Sequence, residues 1–271
     1  MELLPFIVNF FNQIDVLMLI MVRVSAFLIF VPVLSGMSIP LQFRLFFAFV
    51  VSVAIFSSGI VTSVTYHDSP AGLIMLIIAE VATGAMMGFI LFFIFNAILF
   101  AGQFIDFSMS FAMVNVMDPV QQIQVPIIGN ILFMSASALL VAAGGIYVFL
   151  SSFFDSFRLV PIGTAFILGH QDLAEYMVLA FVGFVLIAVR IALPIVGTLM
   201  IVNVCLGIMV KAVPQMNVFV VGIPLKVALG LLLVLTVMIP TMGATYNMLF
   251  NYALESMENI IMGVAPDLEY P

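Results

Sequence analysis

The sequence predicts an all-α integral membrane protein with about six long, kinked apolar helical regions arranged as hairpins. Three observations carry that expectation. Of its 271 residues, 65% are apolar and only 7% charged, whereas a soluble domain holds roughly 45–50% apolar and about 25% charged residues. The mean hydropathy is +1.38. The apolar residues also gather into uninterrupted runs, each near the ~20 residues a helix needs to cross a ~30 Å hydrocarbon core.

The runs follow in order. Val16 to Leu34 is the first and holds Arg23 within it. A break at Ser35-Gly36-Met37-Ser38-Ile39-Pro40 leads to the second, Leu41 to Val64. The polar turn His67-Asp68-Ser69-Pro70 precedes the third, Ala71 to Phe100, with Glu80 inside. Ala101 to Gln124 is too polar for a span, yet rich in Met and Phe. Val125 to Leu150 is the fourth run, and Phe153 to Glu175 connects it to two long regions, Tyr176 to Val210 and Val218 to Phe250. Pro194, Pro224 and Pro240 interrupt these last two, since a proline removes a backbone donor and kinks or ends a helix. Glu255, Glu258, Asp267 and Glu269 make residues 251–271 an acidic, solvated tail. No cleavable leader is expected, because Met1-Glu2-Leu3-Leu4-Pro5 lacks a basic stretch.

Composition excludes several functions. A net charge of −7 with scattered cations offers nucleic acid no basic face. The single cysteine, Cys205, rules out a disulfide scaffold, and His67 and His170 stand alone without metal-ligand spacing. No paired acid and base suggests catalysis, and no cofactor is expected. Two cations on one side (Arg44, Lys211) against Arg158 on the other set no orientation.

Arg23, Glu80, Arg190 and Lys226 lie deep in apolar runs, where a charge costs at least ~2.5–3.5 kcal/mol and so faces protein or water. Glu80 is expected to pair with Arg23, with Arg190, or with a neighbouring subunit. Gly84-Ala85-Met86-Met87-Gly88 is a GxxxG, which admits close approach of a second helix or is a chance match among small residues. In Gln103 to Asp118, Met and Phe alternate with polar residues. Such a deformable cluster suits either a plug that closes and yields or an ordinary interfacial loop.

The run Pro214-Gln215-Met216-Asn217-Val218-Phe219-Val220-Val221-Gly222-Ile223-Pro224-Leu225-Lys226 resembles the FliR family of bacterial flagellar export proteins, which has injectisome counterparts. Arg23, Pro32, Pro40, Ser110-Phe111-Ala112, Asp118-Pro119, Pro161-Ile162-Gly163 and Arg190 follow in the family's order, so the resemblance extends from about Asp15 to Phe250. It implies a FliP-like helical region over 1–175, a plug loop over 101–124 and a FliQ-like hairpin over 176–250. It implies one copy of the chain in a gate with FliP-like and FliQ-like subunits, alongside FlhA-like and FlhB-like components, in the bacterial inner membrane at the flagellar basal body. The cargo would be unfolded rod, hook and filament subunits, with energy coupling left to partners.

The resemblance places the plug at Met109, Phe111, Met113, Val114 and Met117. Some relatives carry a second Phe where this chain has Val114, which shifts closure from paired aromatics onto the methionines. Arg23, Glu80, Arg190, Asn217 and Lys226 become interface or buried polar residues, and Asp118, Pro119, Pro214, Gly222 and Pro224 structural ones. A self-contained multi-pass carrier or channel for a small solute, with broken helices at Pro194 and Pro224, is the alternative.

Overall fold

The computed structural model describes residues 3–31, 40–61, 70–111, 126–162, 171–215 and 217–264. Among these residues the regular structure is helical: α1 (Leu3–Phe30), α2 (Leu41–Ser57), α3 (Pro70–Ser108), α4 (Ile127–Ala142), α5 (Gly145–Leu159), α6 (Gln171–Ala212), α7 (Val218–Leu233), a π turn (Val234–Met238) and α8 (Ile239–Val264). Among the described residues, three stretches are long and apolar enough to cross a membrane, namely Ala71–Ser108, Glu175–Ala212 and Val218–Val237. The number rises to four if α4 and α5 form one broken span.

Element boundaries depart from the hydropathy runs at identifiable places. The third run continues as helix beyond Phe100 to Ser108, so α3 is 39 residues long and takes in the first polar residues of the following segment. There Gln103 and Phe107 face outward while Ile105 is buried, so an amphipathic turn extends the helix. The fourth run is broken between α4 and α5 at Gly144, whose φ of 72° suits a residue without a Cβ. α5 then carries helix to Leu159, into the stretch expected to be a connection.

The prolines act less severely than expected. Pro194 lies inside the 42-residue α6 and Pro224 inside α7, and neither ends its helix. Pro240 follows the π turn at the start of α8, a place where a helix tolerates a proline better than in its middle. The broken helices on which a solute-carrier reading depends are therefore not formed at Pro194 or Pro224.

The chain divides into two compact units. The first comprises Met1–Phe93, Gly144–Phe181 and Tyr252–Pro271, and the second Ile94–Ala143 and Val182–Asn251. In the first, α1 packs on α2. Its core holds Ile20, Val24 and Phe27 of α1, Ala48 and Ile55 of α2, Met87, Ile90 and Leu91 of α3, and Phe149, Phe153 and Phe157 of α5.

The C-terminal part of α8 corrects the expectation of a solvated tail for residues 251–262, while Asp267 and Glu269 lie outside the described residues. Ala253, Met257, Ile260 and Ile261 recur at helical spacing and are buried, while Glu255 and Glu258 occupy the exposed face. Tyr252 adds a hydrogen bond from its hydroxyl to the Leu179 carbonyl at 2.9 Å.

In the second unit Ile98, Ala101 and Ile105 of α3, Ile128, Leu132 and Ala136 of α4, and Ile187, Ile191, Ile195 and Leu199 of α6 form the core. Its outward faces remain apolar. Leu193, Met200, Ile201, Val204 and Ile208 of α6 and Phe219 and Val220 of α7 are each more than 60% exposed.

Candidate functional site

Two polar centres stand out, one in each unit. In the first, Arg23 and Glu80 are both fully buried and form an ion pair through the Arg23 Nε–H and a Glu80 carboxylate oxygen. Arg23 Nη1 donates to the Val160 carbonyl at 2.9 Å, and the guanidinium carbon lies 4.5 Å from the centroid of the Phe157 ring. One side chain thus ties α1 to α3 and to the end of α5. Phe153 completes the wall, stacked on Phe27 at 4.2 Å and meeting Phe157 edge-on at 5.4 Å. Nη2 is buried without a hydrogen-bond partner among the described residues. Of the partners expected for Glu80, the structure selects Arg23. Arg190 is an exposed residue of α6 in the other unit.

The pair can form because α1 and α3 approach closely. A Cβ on Gly84 would overlap the Arg23 carbonyl, and one on Gly88 would lie 2.5 Å from the Phe27 carbonyl oxygen and 2.9 Å from Phe30 Cβ. The GxxxG is thus a real helix contact, with two glycines four residues apart meeting two carbonyls four residues apart.

The second centre is built around Asp106, near the end of α3. The N-cap of α4 is Pro126, which supplies no side-chain hydrogen bond to the first-turn amides. Asp106 supplies it from another helix. Its carboxyl oxygens accept from Ile128 N–H at 3.1 and 3.2 Å and from Gly129 N–H at 3.3 Å, and the residue is 6% exposed. Acceptors at a helix N-terminus satisfy orphan donors and meet the positive end of the helix dipole. Gly102, one turn before Asp106, allows this: a Cβ there would overlap the Gly129 backbone.

Just beyond, α3 stops. Met109 N–H still bonds the Ile105 carbonyl at 2.9 Å, but Ser110 turns left-handed with φ of 66°. Met109 is fully buried, and its Cγ, Sδ and Cε lie over Gly230 of α7, 2.6–2.7 Å from where a Cβ would stand. It is therefore a packing anchor within this unit. Phe111 is half-buried. Met113, Val114, Met117, Asp118 and Pro119 lie outside the described residues.

The Pro214–Lys226 run spans the turn between α6 and α7. Pro214 is exposed, and exposed Asn217 caps α7 by accepting from Phe219 N–H at 3.1 Å. Gly222 is buried against Leu206 of α6, whose Cδ1 lies 3.1 Å from the position of a Cβ. Pro224 is exposed and Lys226 half-buried.

Asp106 is the residue that sequence reasoning passed over as a site. The available signal was a helix start at Pro126-Ile127 with no capping residue beside it, and an acid in the preceding polar segment.

These features define a helical membrane protein that holds Arg23 and Glu80 in a buried pair and Asp106 in a buried helix cap, while its outward helix faces are largely apolar. Residues 14–253 match the family model described as bacterial export proteins, family 1. The chain belongs to that family. It is 30% identical over 251 residues to the flagellar biosynthetic protein FliR of Bacillus subtilis (strain 168), covering 90% of this chain and 93% of that one. With the flagellar biosynthetic protein FliR of Escherichia coli (strain K12) it shares 27% identity over 241 residues, 89% of this chain and 90% of the relative. The Yop proteins translocation protein T of Yersinia pestis is 26% identical over 185 residues, 68% of this chain and 71% of the relative.

Proposed function

We propose that the chain is a non-enzymatic subunit of the export gate of a bacterial flagellar type III apparatus, resident in the inner membrane at the basal body. One copy joins FliP-like and FliQ-like subunits, with FlhA-like and FlhB-like components beside them, and lines part of the passage for unfolded rod, hook and filament subunits. Residues 1–175 act as the FliP-like region, 176–250 as the FliQ-like hairpin, and the loop of 101–124 as the plug.

The observation that carries this reading is the near full-length similarity to flagellar relatives. Two structural features support it. The apolar outer faces of α6 and α7 carry Arg190 exposed and Lys226 half-buried, and charges in such surroundings call for polar partners on neighbouring polypeptide. The segment that follows Asp106 also starts from a rigid base. Within it, Met109 anchors, and closure falls to Phe111, Met113, Val114 and Met117.

The first test is co-expression with FliP-like and FliQ-like proteins of the same genome, followed by native mass spectrometry. One copy of the chain in a larger hetero-oligomer is the expected result. A monomer or homo-oligomer that never takes up those partners would refute the gate. The plug is tested by deleting residues 106–118: the assembly should persist while the membrane becomes leaky to small solutes.

A further inference from the structure

We propose that a pocket between α5 and α8, within the first unit, seats a lysine side chain of a neighbouring polypeptide. The cavity measures about 350 Å³, inside the range of about 300–1,000 Å³ typical of ligand pockets. Ser152, Asp155 and Leu159 reach it from one face of α5, three and four residues apart, with Arg158 beside them. Glu258, Ile261 and Met262 reach it from one face of α8.

The lining has an apolar part and a charged part. Ile261 is buried, Leu159 half-buried and Met262 exposed, so an aliphatic stem entering the cavity covers apolar surface. Met262 is unbranched and can repack around such a stem. Asp155 and Arg158 form a loose, exposed pair at 3.5 Å, and pairs of this kind hold little energy. Glu258 has neither a hydrogen bond nor an ion pair among the described residues. Two carboxylates against one guanidinium leave the pocket negative, so its complement is a cation. Carboxylates on separate helices call for donors pointing in different directions, which a compact ammonium supplies and the flat fork of a guanidinium does not. Lysine also lays its methylene stem on apolar surface while its head stays hydrated. Exposed Asp155, Arg158, Glu255 and Glu258 make the surrounding surface polar. The ammonium therefore arrives through water on a polypeptide, rather than on a lipid whose acyl chains need an apolar wall.

The experiment joins carboxylates to amines in direct contact with a water-soluble carbodiimide and locates the products by peptide mass spectrometry. For the purified full chain the probe is Nα-acetyl-lysine N-methylamide, whose only amine is on the side chain. Asp155 and Glu258 should couple about fivefold more than Glu255, which lies three residues earlier on α8 and outside the pocket. Ser152→Phe fills the cavity without removing a carboxylate and should lower coupling at both positions to the level of Glu255. Met262→Trp fills it from an exposed position and replaces Ser152→Phe if that variant does not fold. In the co-expressed assembly, whose formation rests on the gate reading above, no probe is added, and Asp155 or Glu258 should be joined to a lysine of a neighbouring subunit.

Coupling in the isolated chain no greater than at Glu255, or undiminished in the filled variants, would overturn the pocket. In the assembly, a product carrying phosphatidylethanolamine, or the lack of any lysine product, would overturn the polypeptide ligand. An assembly that never forms refutes the gate reading instead, and the pocket then stands or falls on probe coupling in the isolated chain.

Discussion

Removing one member of the Arg23–Glu80 pair should be far more damaging than removing both. Glu80→Leu leaves a guanidinium in a fully buried site with one hydrogen bond, to Val160, and the face of Phe157. Breaking a buried pair in this way costs about 3–5 kcal/mol. The desolvated contact with the aromatic ring offsets up to about 2 kcal/mol, which places the expected loss near the lower end of that range. Arg23→Met is worse, because it takes the guanidinium away from the buried Glu80 carboxylate and also leaves the Val160 carbonyl without its side-chain donor, a further ~1–3 kcal/mol.

In Arg23→Met/Glu80→Leu no charge remains. The orphaned carbonyl still costs about 1–3 kcal/mol, but exchange of a buried pair for apolar residues of similar volume is neutral or stabilising by about 1–4 kcal/mol. The double variant is thus expected within about 2 kcal/mol of the parent. At roughly 2–4 °C per kcal/mol for a chain of this order of size, Glu80→Leu melts about 6–12 °C lower, Arg23→Met lower still, and the double variant within about 8 °C of the parent. Thermal unfolding of the detergent-purified chain by circular dichroism measures all three, and the double-mutant cycle isolates the coupling. A double variant as unstable as the worse single one, or single variants that melt with the parent, would refute the reasoning.

Gly84→Ala drives a methyl group into the backbone carbonyl of Arg23, so it should cost at least about 1–3 kcal/mol and expose the α1–α3 contact to proteolysis. Gly207 of α6 is exposed with open space around it; Gly207→Leu should leave the isolated chain's melting unchanged or slightly raised and lower the yield of the hetero-oligomer in native mass spectrometry. Asn217→Ala removes the cap of α7 and should cost about 0.5–2 kcal/mol in thermal unfolding. Lys226→Ala should leave melting nearly unchanged but weaken co-purification with FliP-like and FliQ-like subunits, because its half-buried charge is proposed to meet a partner there.

Local physics was legible from the residues. Apolar runs and the lack of charge announced long helices: α6 follows its run almost from end to end, and the last run is taken up by α7, the π turn and the start of α8. Gly84 and Gly88 signalled a close helix approach that the structure contains. Proline preferences and charge counts misled, since they are weak against tertiary packing. Pro194 and Pro224 sit in continuous helices, and Glu255 and Glu258 line the exposed face of an amphipathic helix whose other face is buried.

What the tertiary structure alone decided is which buried polar groups meet. Arg23 and Glu80 are 57 residues apart, Arg23 and Val160 are 137 apart, and Asp106 lies 22 residues before the amide it caps. The residues themselves show that each of these groups needs a partner once it leaves water, because the desolvation cost is a property of the group. The partner is a property of the packing. It depends on which helix faces come within hydrogen-bond reach, and here glycines that let one backbone rest on another set that reach.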